Sequence, residues 1–319
     1  MIRIGVIGAG PNGTGNAKRL AEDAKRCRIS AVADPNPEAA KAFADAFGAR
    51  AFGDFTAFLD EVDAVVISSP NFLHAAQAVA CAKAGKHLFI EKPMALSIAD
   101  AERIASAIDD NNVKSFVGFS VRFDPAIWKM GELFRAGAVG TAVTLWSRRM
   151  SFSGGAARKS WRNEYDKSGG LVTELLAHEI DWIINLAGMP KAVFCRKASR
   201  VHNDPRDNEH LWLTMCFDGE TTGTIEGSAM SVVPDYYRGV VGTNGGMCTA
   251  DWGRKLMLYT AKDKHEEVAP LEGFNKHAHF LDVLEGRTAS CADARCGLNV
   301  VRVSEKAIES AVSGTVVTL

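Results

Sequence analysis

Net charge is almost absent from this chain of 319 residues. Its 37 Lys and Arg against 38 Asp and Glu leave a formal charge of −1, which removes the electrostatic reason to expect nucleic acid or an anionic membrane as a partner. No apolar run reaches membrane-spanning length, so no transmembrane helix is expected. A strand-like run opening at Arg3 leaves no space for a leading signal peptide, which points to the cytoplasm. The seven cysteines include no C-x-x-C pair, Cys291 and Cys296 being the closest two. An odd number without metal-type spacing favours reduced, mostly buried thiols and speaks against zinc. Internal repeats, low-complexity tracts and a Pro/Gly/Ser linker are lacking too, so any domains are expected to pack together with a cleft between them. What the chain has is an ordinary apolar share, 47%, over a length that suggests two domains.

The first apolar run, Arg3-Ile4-Gly5-Val6-Ile7, leads into Gly8-Ala9-Gly10-Pro11-Asn12-Gly13. A second run, Ile29-Ser30-Ala31-Val32-Ala33, ends at Asp34, the distance a βαβ unit requires. In that setting G-x-G-x-x-G is a dinucleotide fingerprint. Gly8 permits the tight strand-to-helix turn, Gly10 lets backbone approach a pyrophosphate, and Gly13 lets the helix pack near the strand. The phosphates are expected at the helix N-terminus, where free N–H groups and the dipole favour an anion. Asp34 is expected on the adenosine ribose hydroxyls, where its charge repels a 2′-phosphate. The expected cofactor is therefore NAD, with NADP the alternative.

Through about residue 122 strand-like runs alternate with helical patterns, the mark of a parallel sheet flanked by helices. Asn36 and Pro37 read as N-cap and first residue of a helix ending at Gly48. Strands are expected at 62–67, 87–90 and 116–119, with a helix from His74 towards Gly85. Ser97 with Asp100 reads as a capping box. The periodicity then changes: a helix over 125–136 ends at Gly137, and longer strand-like segments follow at 141–150, 191–201, 211–217 and 221–229. Asp218-Gly219 joins the last two as a hairpin, and Asn244-Gly245-Gly246 marks another turn. Helices are expected near 171–187, 274–285 and 294–313. The expected fold is α/β, a doubly wound Rossmann domain over 1–122 and an α/β domain over 123–319 with a large, mostly antiparallel open sheet.

Two constellations carry the chemistry. Glu91-Lys92-Pro93 follows a parallel strand at its carboxyl end, where ligands of open α/β sheets bind. A lysine there can reach the nicotinamide ribose and a substrate hydroxyl, and partial desolvation would lower its pKa towards the working range. Pro93 is a candidate for a cis bond, found in about 5–6% of X–Pro bonds. The second constellation is the helix over 171–184, where Glu174, His178 and Asp181 share one face by spacing. The rest of that helix is mostly apolar, so a polar stripe needs partners. An internally satisfied Glu–His pair explains the spacing as well as catalysis does, and Asp181 reads as a supporting residue. Elsewhere, His277 and His279 point about 200° apart on a helix and cannot share one metal. Arg148, Arg149, Arg158, Lys159 and Arg162 form an acid-free basic run, read first as a solvated loop or oligomer contact. Tyr236 and Tyr237 are read as packing residues before sugar-stacking ones.

These residues together resemble the glucose-fructose oxidoreductase/inositol dehydrogenase (Gfo/Idh/MocA) family over essentially the whole chain. The matching stretches are the glycine turn, Asp34, Ser69-Pro70-Asn71-Phe72-Leu73-His74, Gly85-Lys86-His87 and Glu91-Lys92-Pro93. Gly118-Phe119-Ser120-Val121-Arg122-Phe123, Trp161-Arg162, Gly169-Gly170 and His178 four after an acid complete them. The resemblance implies NAD(P)-dependent hydride transfer with a secondary alcohol of a sugar, inositol or related polyol. It also implies a homodimer or homotetramer built through the C-terminal sheet. It makes Lys92 the catalytic lysine, His178 the catalytic histidine, and Glu174 the stand-in for an aspartate common in relatives. Ser69, Pro70, Asn71 and His74 would line the nicotinamide side, and Glu91, Arg122, Trp161 and Arg162 join the cofactor set with Pro11 and Asn12. Two departures stand out: Asn16 replaces a histidine after the glycine loop, a position expected near the phosphates, and Glu174 is a methylene longer than aspartate.

The expected chemistry has His178 taking the hydroxyl proton, since an ordinary imidazole titrates near neutrality, and Lys92 stabilising the developing alkoxide. The two roles are exchangeable at this level. Two other classes share most of the motifs. One is an NAD-assisted glycoside hydrolase or lyase working through transient oxidation at C3. The other is a non-enzymatic dinucleotide-binding regulator, against which the retention of both Lys92 and His178 argues.

Overall fold

The computed structural model describes residues 1–152, 161–199, 209–261, 263–269 and 275–319. The chain forms two compact units, residues 1–118 with 275–298, and residues 119–274 with 299–319.

The first unit opens with β1 (Ile2–Ile7), α1 (Pro11–Ala21), β2 (Cys27–Ala33), α2 (Pro37–Phe47) and β3 (Arg50–Phe52). It continues through β4 (Ala64–Ile67), α3 (His74–Lys83), β5 (His87–Ile90), α4 (Ile98–Asp110) and β6 (Ser115–Val117). The six strands form an all-parallel sheet in the order β3-β2-β1-β4-β5-β6. Strands covered on both faces must be apolar throughout, and Val65, Val66, Ile67, Leu88, Phe89 and Ile90 are fully buried. The expected caps are in place. The Asn36 side chain accepts from the Glu38 and Ala39 N–H groups, and Ser97 accepts from the Asp100 N–H.

The second unit holds α5 (Pro125–Arg135), β7 (Ala142–Phe152), α6 (Tyr165–Ser168), α7 (Ala177–Ala187) and β8 (Ala192–Ala198). Then come β9 (His210–Cys216), β10 (Thr222–Ser228), β11 (Met230–Gly242), β12 (Gly245–Ala250), β13 (Lys255–Ala261) and β14 (Lys264–Val268). The chain returns to the first unit with α8 (Lys276–Leu284). It closes with α9 (Ala294–Ser313), which enters the second unit after its first turn, and β15 (Val317–Thr318). The second sheet runs β14-β13-β12-β11-β7-β10-β9-β8-β15. It is antiparallel except for the β7–β10 pair. Alternation is strict where one face is covered: Leu211, Leu213 and Met215 of β9 are buried, while Trp212 and Cys216 are exposed.

Three expectations change. Residues 275–298 pack with the first unit, because Phe280 of α8 sits edge-on to Phe89 and against Phe116. The single helix expected over 171–187 is a π-helical turn, Leu171–Leu175, followed by α7. Of the cysteines only Cys27, Cys81 and Cys195 are buried; all seven are free thiols. The bases Arg158 and Lys159, the end of the strand expected at 191–201, and residue 274 lie outside the described residues.

Candidate active site

In the first unit the chain brings its chemistry to the carboxyl ends of β1, β2, β4 and β5. Gly8 leaves β1 with φ +97°, and a Cβ added there would stand 2.8 Å from the Ser68 carbonyl oxygen, while one on Gly13 would meet the Gly8 carbonyl oxygen at 1.9 Å. A side chain at either place is excluded by backbone. Gly10 differs: a Cβ there would meet nothing within 4 Å, so the protein's own packing does not demand glycine. Open space over the N-terminus of α1, with no acidic residue in its first turn, is the cradle that a diphosphate fills. Asp34 leaves β2 beside this turn, one carboxylate oxygen accepting the Ala9 N–H and the other the Asn36 N–H, both at 2.8 Å. The residues present therefore fit a dinucleotide.

The loop after β4 is tied down by His74, which is fully buried between the Pro93 carbonyl at 2.8 Å (Nδ1) and the Ser69 carbonyl at 3.0 Å (Nε2). Burial lowers its pKa, opposed by the contacts to the two carbonyls. His74 fixes the loop instead of offering itself to a ligand. Ser69 Oγ donates to Gln77 at 2.5 Å, and Asn71 is buried. The Lys92–Pro93 bond is cis, and Lys92 is half-buried at the end of β5.

Glu91, expected to touch the cofactor, is a buried anchor. Its Oε1 accepts Asn16 Nδ2 and Lys276 Nζ, each at 3.0 Å, and its Oε2 accepts the Lys92 N–H at 3.3 Å. Burial raises its pKa, but the Lys276 charge and these hydrogen bonds outweigh it, leaving the carboxyl below its usual range. Asn16, expected near the phosphates, lies inside this network; it also donates to Ser68 Oγ at 3.2 Å and accepts from His277 Nε2 at 2.9 Å. His277 stacks on Phe89, and burial with the Lys276 charge pushes its pKa down to about 3. His279 lies against Phe116 and accepts the Cys291 N–H.

In the second unit His178 is buried near the start of α7, edge-on to Phe119. Glu174 belongs to the π-helical turn before α7, in which the Leu176 N–H reaches back to the Leu171 carbonyl. Its carboxylate takes Arg162 Nε at 2.8 Å, and the Arg162 guanidinium lies over the Trp161 ring at 4.5 Å. Trp161 and Arg162 thus hold Glu174. Arg122, another expected cofactor residue, is buried and makes a two-pronged pair with buried Asp181 at 2.7 and 2.6 Å.

Sequence reasoning missed Glu179. Wholly buried, it pairs with buried Arg238 at 2.8 and 2.7 Å and with Arg149 at 3.1 Å, and accepts Ser147 Oγ at 2.5 Å. Tyr236 packs under Arg238 and accepts a hydrogen bond from it. An acid inside an otherwise apolar helix was the available signal, since a buried charge needs a partner. Losing either member of such a pair costs about 3–5 kcal/mol, so this cluster locks α7, and with it His178, to β7 and β11.

A parallel sheet with this glycine turn and acidic strand end defines a dinucleotide-binding Rossmann protein. Residues 2–119 match the family described as "Oxidoreductase family, NAD-binding Rossmann fold", and residues 127–248 match the "GFO/IDH/MocA C-terminal domain". The chain belongs to the GFO/IDH/MocA oxidoreductase family. Among curated relatives, the inositol 2-dehydrogenase of Rhizobium meliloti (strain 1021) is 36% identical over 195 residues, 59% of this chain and 55% of that protein. The 2,7-anhydro-N-acetylneuraminate hydratase of Escherichia coli (strain K12) is 27% identical over 251 residues, 77% of this chain and 66% of that protein. The chain thus spans just under two thirds of the hydratase and about half of the inositol dehydrogenase. A solved levoglucosan dehydrogenase in complex with NADH and levoglucosan superposes with a TM-score of 0.91 at 21% identity, covering 99% of each chain. The WlbA dehydrogenase from Bordetella pertussis with NADH and UDP-GlcNAcA gives 0.89 at 22%, covering 100% of this chain and 97% of that one. At these identities the likeness is one of fold.

Proposed function

We propose that this protein moves hydride between a secondary alcohol of a sugar, inositol or related polyol and a nicotinamide dinucleotide, with NAD preferred. The observation that carries the reading is Lys92 at the carboxyl end of β5, in the unit whose glycine turn is shaped for a diphosphate. When bound, NAD supplies the hydride acceptor. His178 takes the proton of the reacting hydroxyl, and Lys92 hydrogen-bonds the same oxygen and stabilises its developing negative charge. Glu174, steadied by Arg162 and Trp161, accepts a hydrogen bond from a neighbouring hydroxyl and fixes the substrate's orientation. Ser69, Pro70 and Asn71 line the nicotinamide side, and Asp34 takes the ribose hydroxyls. Named substrates of the relatives, inositol among them, support this class. We further propose a cytoplasmic homodimer or homotetramer assembled through the outer face of the nine-stranded sheet.

Lys92→Ala and His178→Ala should each lower kcat by about 10²–10⁴-fold, with NAD affinity by calorimetry close to wild type. Turnover within a few-fold of wild type in either variant removes that residue from the chemistry. A panel of polyols, aldoses and glycosides followed by NADH absorbance supplies the substrate. Product formation without net NADH would instead mean transient oxidation within a hydrolase or lyase cycle.

A further inference from the structure

Glu91 precedes Lys92 directly, and a carboxylate in that place poses a problem. Its Oε2 holds the Lys92 backbone N–H at 3.3 Å, which fixes where the lysine leaves the strand. A buried carboxylate with no other cation would also attract the Lys92 ammonium itself, because an unpaired buried charge is costly. The structure solves this from a distant part of the chain. Lys276, on α8 and 185 residues away in sequence, puts its ammonium 3.0 Å from Oε1 and 5.1 Å from the centre of the Phe89 ring. Asn16 fills the rest of Oε1 at 3.0 Å and is itself oriented by His277. Gly118 leaves room for the carboxylate, since a Cβ there would stand 3.0 Å from Oε2.

We propose that Lys276 is a positioning residue for the reaction: it balances Glu91, so that Glu91 anchors the Lys92 backbone without capturing the Lys92 ammonium. The inference rests on Lys92 being the residue that meets the reacting oxygen. The ionisable groups that bear on this site within the unit are Glu91 and Lys92 at the end of β5, His74 on α3, Lys276 and His277 on α8, and Arg19 on α1 beyond His277. Burial lowers the pKa of both histidines. Lys276 is the cation in direct contact with the Glu91 carboxylate, at 3.0 Å, and supplies the balancing charge.

The test reads the Lys92 ammonium directly. Trace labelling with acetic anhydride across the lysine titration range, followed by mass spectrometry of the peptide carrying Lys92, gives its titration midpoint whether or not the enzyme turns over. Lys276→Met leaves Glu91 unbalanced and should move the midpoint up by about 0.5–1 pH unit; Glu91→Gln leaves Lys276 unbalanced and should move it down by a similar amount. The double variant should return close to wild type, and Lys276→Arg should leave the midpoint in place. A general loosening of the fold would not produce shifts of opposite sign. Two single variants that shift the midpoint in the same direction, or not at all, overturn the proposal. Should Lys276→Met fail to fold, Glu91→Gln and Lys276→Arg decide it, and a midpoint unmoved by Glu91→Gln overturns it. Turnover should track the midpoint at fixed NAD affinity. If the midpoint moves as expected and kcat does not follow, the charge balance stands and the catalytic assignment of Lys92 falls.

Discussion

Asp34 already holds two backbone N–H groups, one in the glycine turn and one at the start of α2. Its carboxylate is thus held in place by the backbone, and under the proposed function it meets the ribose hydroxyls and repels a 2′-phosphate. Asp34→Ser should weaken NAD binding by about 1.5–3 kcal/mol, the worth of hydrogen bonds to a charged group, with NADP binding much less affected. Fluorescence titration with both nucleotides measures this, and an unchanged affinity ratio would place Asp34 away from the ribose. Side chains that looked alike as charged site residues divide at this scale. Lys92 is half-buried at the strand end, Glu91 is paired with half-buried Lys276, and Arg122 with buried Asp181.

Among the elements, α8 ties the carboxyl end of β5 to acid stability. His277 has its pKa at about 3 in the fold against an ordinary 6.5. Between those values the unfolded chain binds the proton and the folded one does not, so stability falls as the pH drops. The contribution is complete above 6.5 and is lost as the pH falls towards about 3. Its slope is at most about 1.36 kcal/mol per pH unit, or up to about 2 kcal/mol by about pH 5. Urea unfolding at two pH values should show this loss, and His277→Gln should remove most of it. An identical slope in the variant would mean that other groups carry the acid sensitivity. The π-helical turn before α7 carries Glu174, whose carboxylate takes Arg162.

On the scale of the molecule, one face of the nine-stranded sheet carries exposed side chains among the described residues. Trp212, Glu226, Arg148 and Tyr237 stand in register across β9, β10, β7 and β11. Trp212 and Tyr237 are 48% and 45% exposed. On the same face, Trp146, Cys248 and Tyr259 line a groove of about 420 Å³. This is the face through which the proposed assembly would form, and near-zero net charge opposes self-association only weakly. Trp212→Arg with Tyr237→Arg should convert the assembly to monomers by sedimentation while leaving circular dichroism unchanged. A monomeric wild type, or a variant of unchanged mass, excludes this face. Among the described residues no helix is long and apolar enough to cross a membrane.

Local rules made part of this protein legible from its residues. The glycine turn, the Asn36 and Ser97 caps, the ends of helices at Gly48, Gly85 and Gly137, and the alternating strands each follow from neighbours a few positions away. So does the family, because its motifs are short and contiguous. The partners of buried charges were not legible, since pairing depends on which distant element arrives beside them. Glu91 finds Lys276, Arg122 finds Asp181, and Glu179 finds Arg238 across separations that no periodicity encodes. Sequence determined where the ionisable groups leave the chain. Tertiary packing decided which of them are spent neutralising one another.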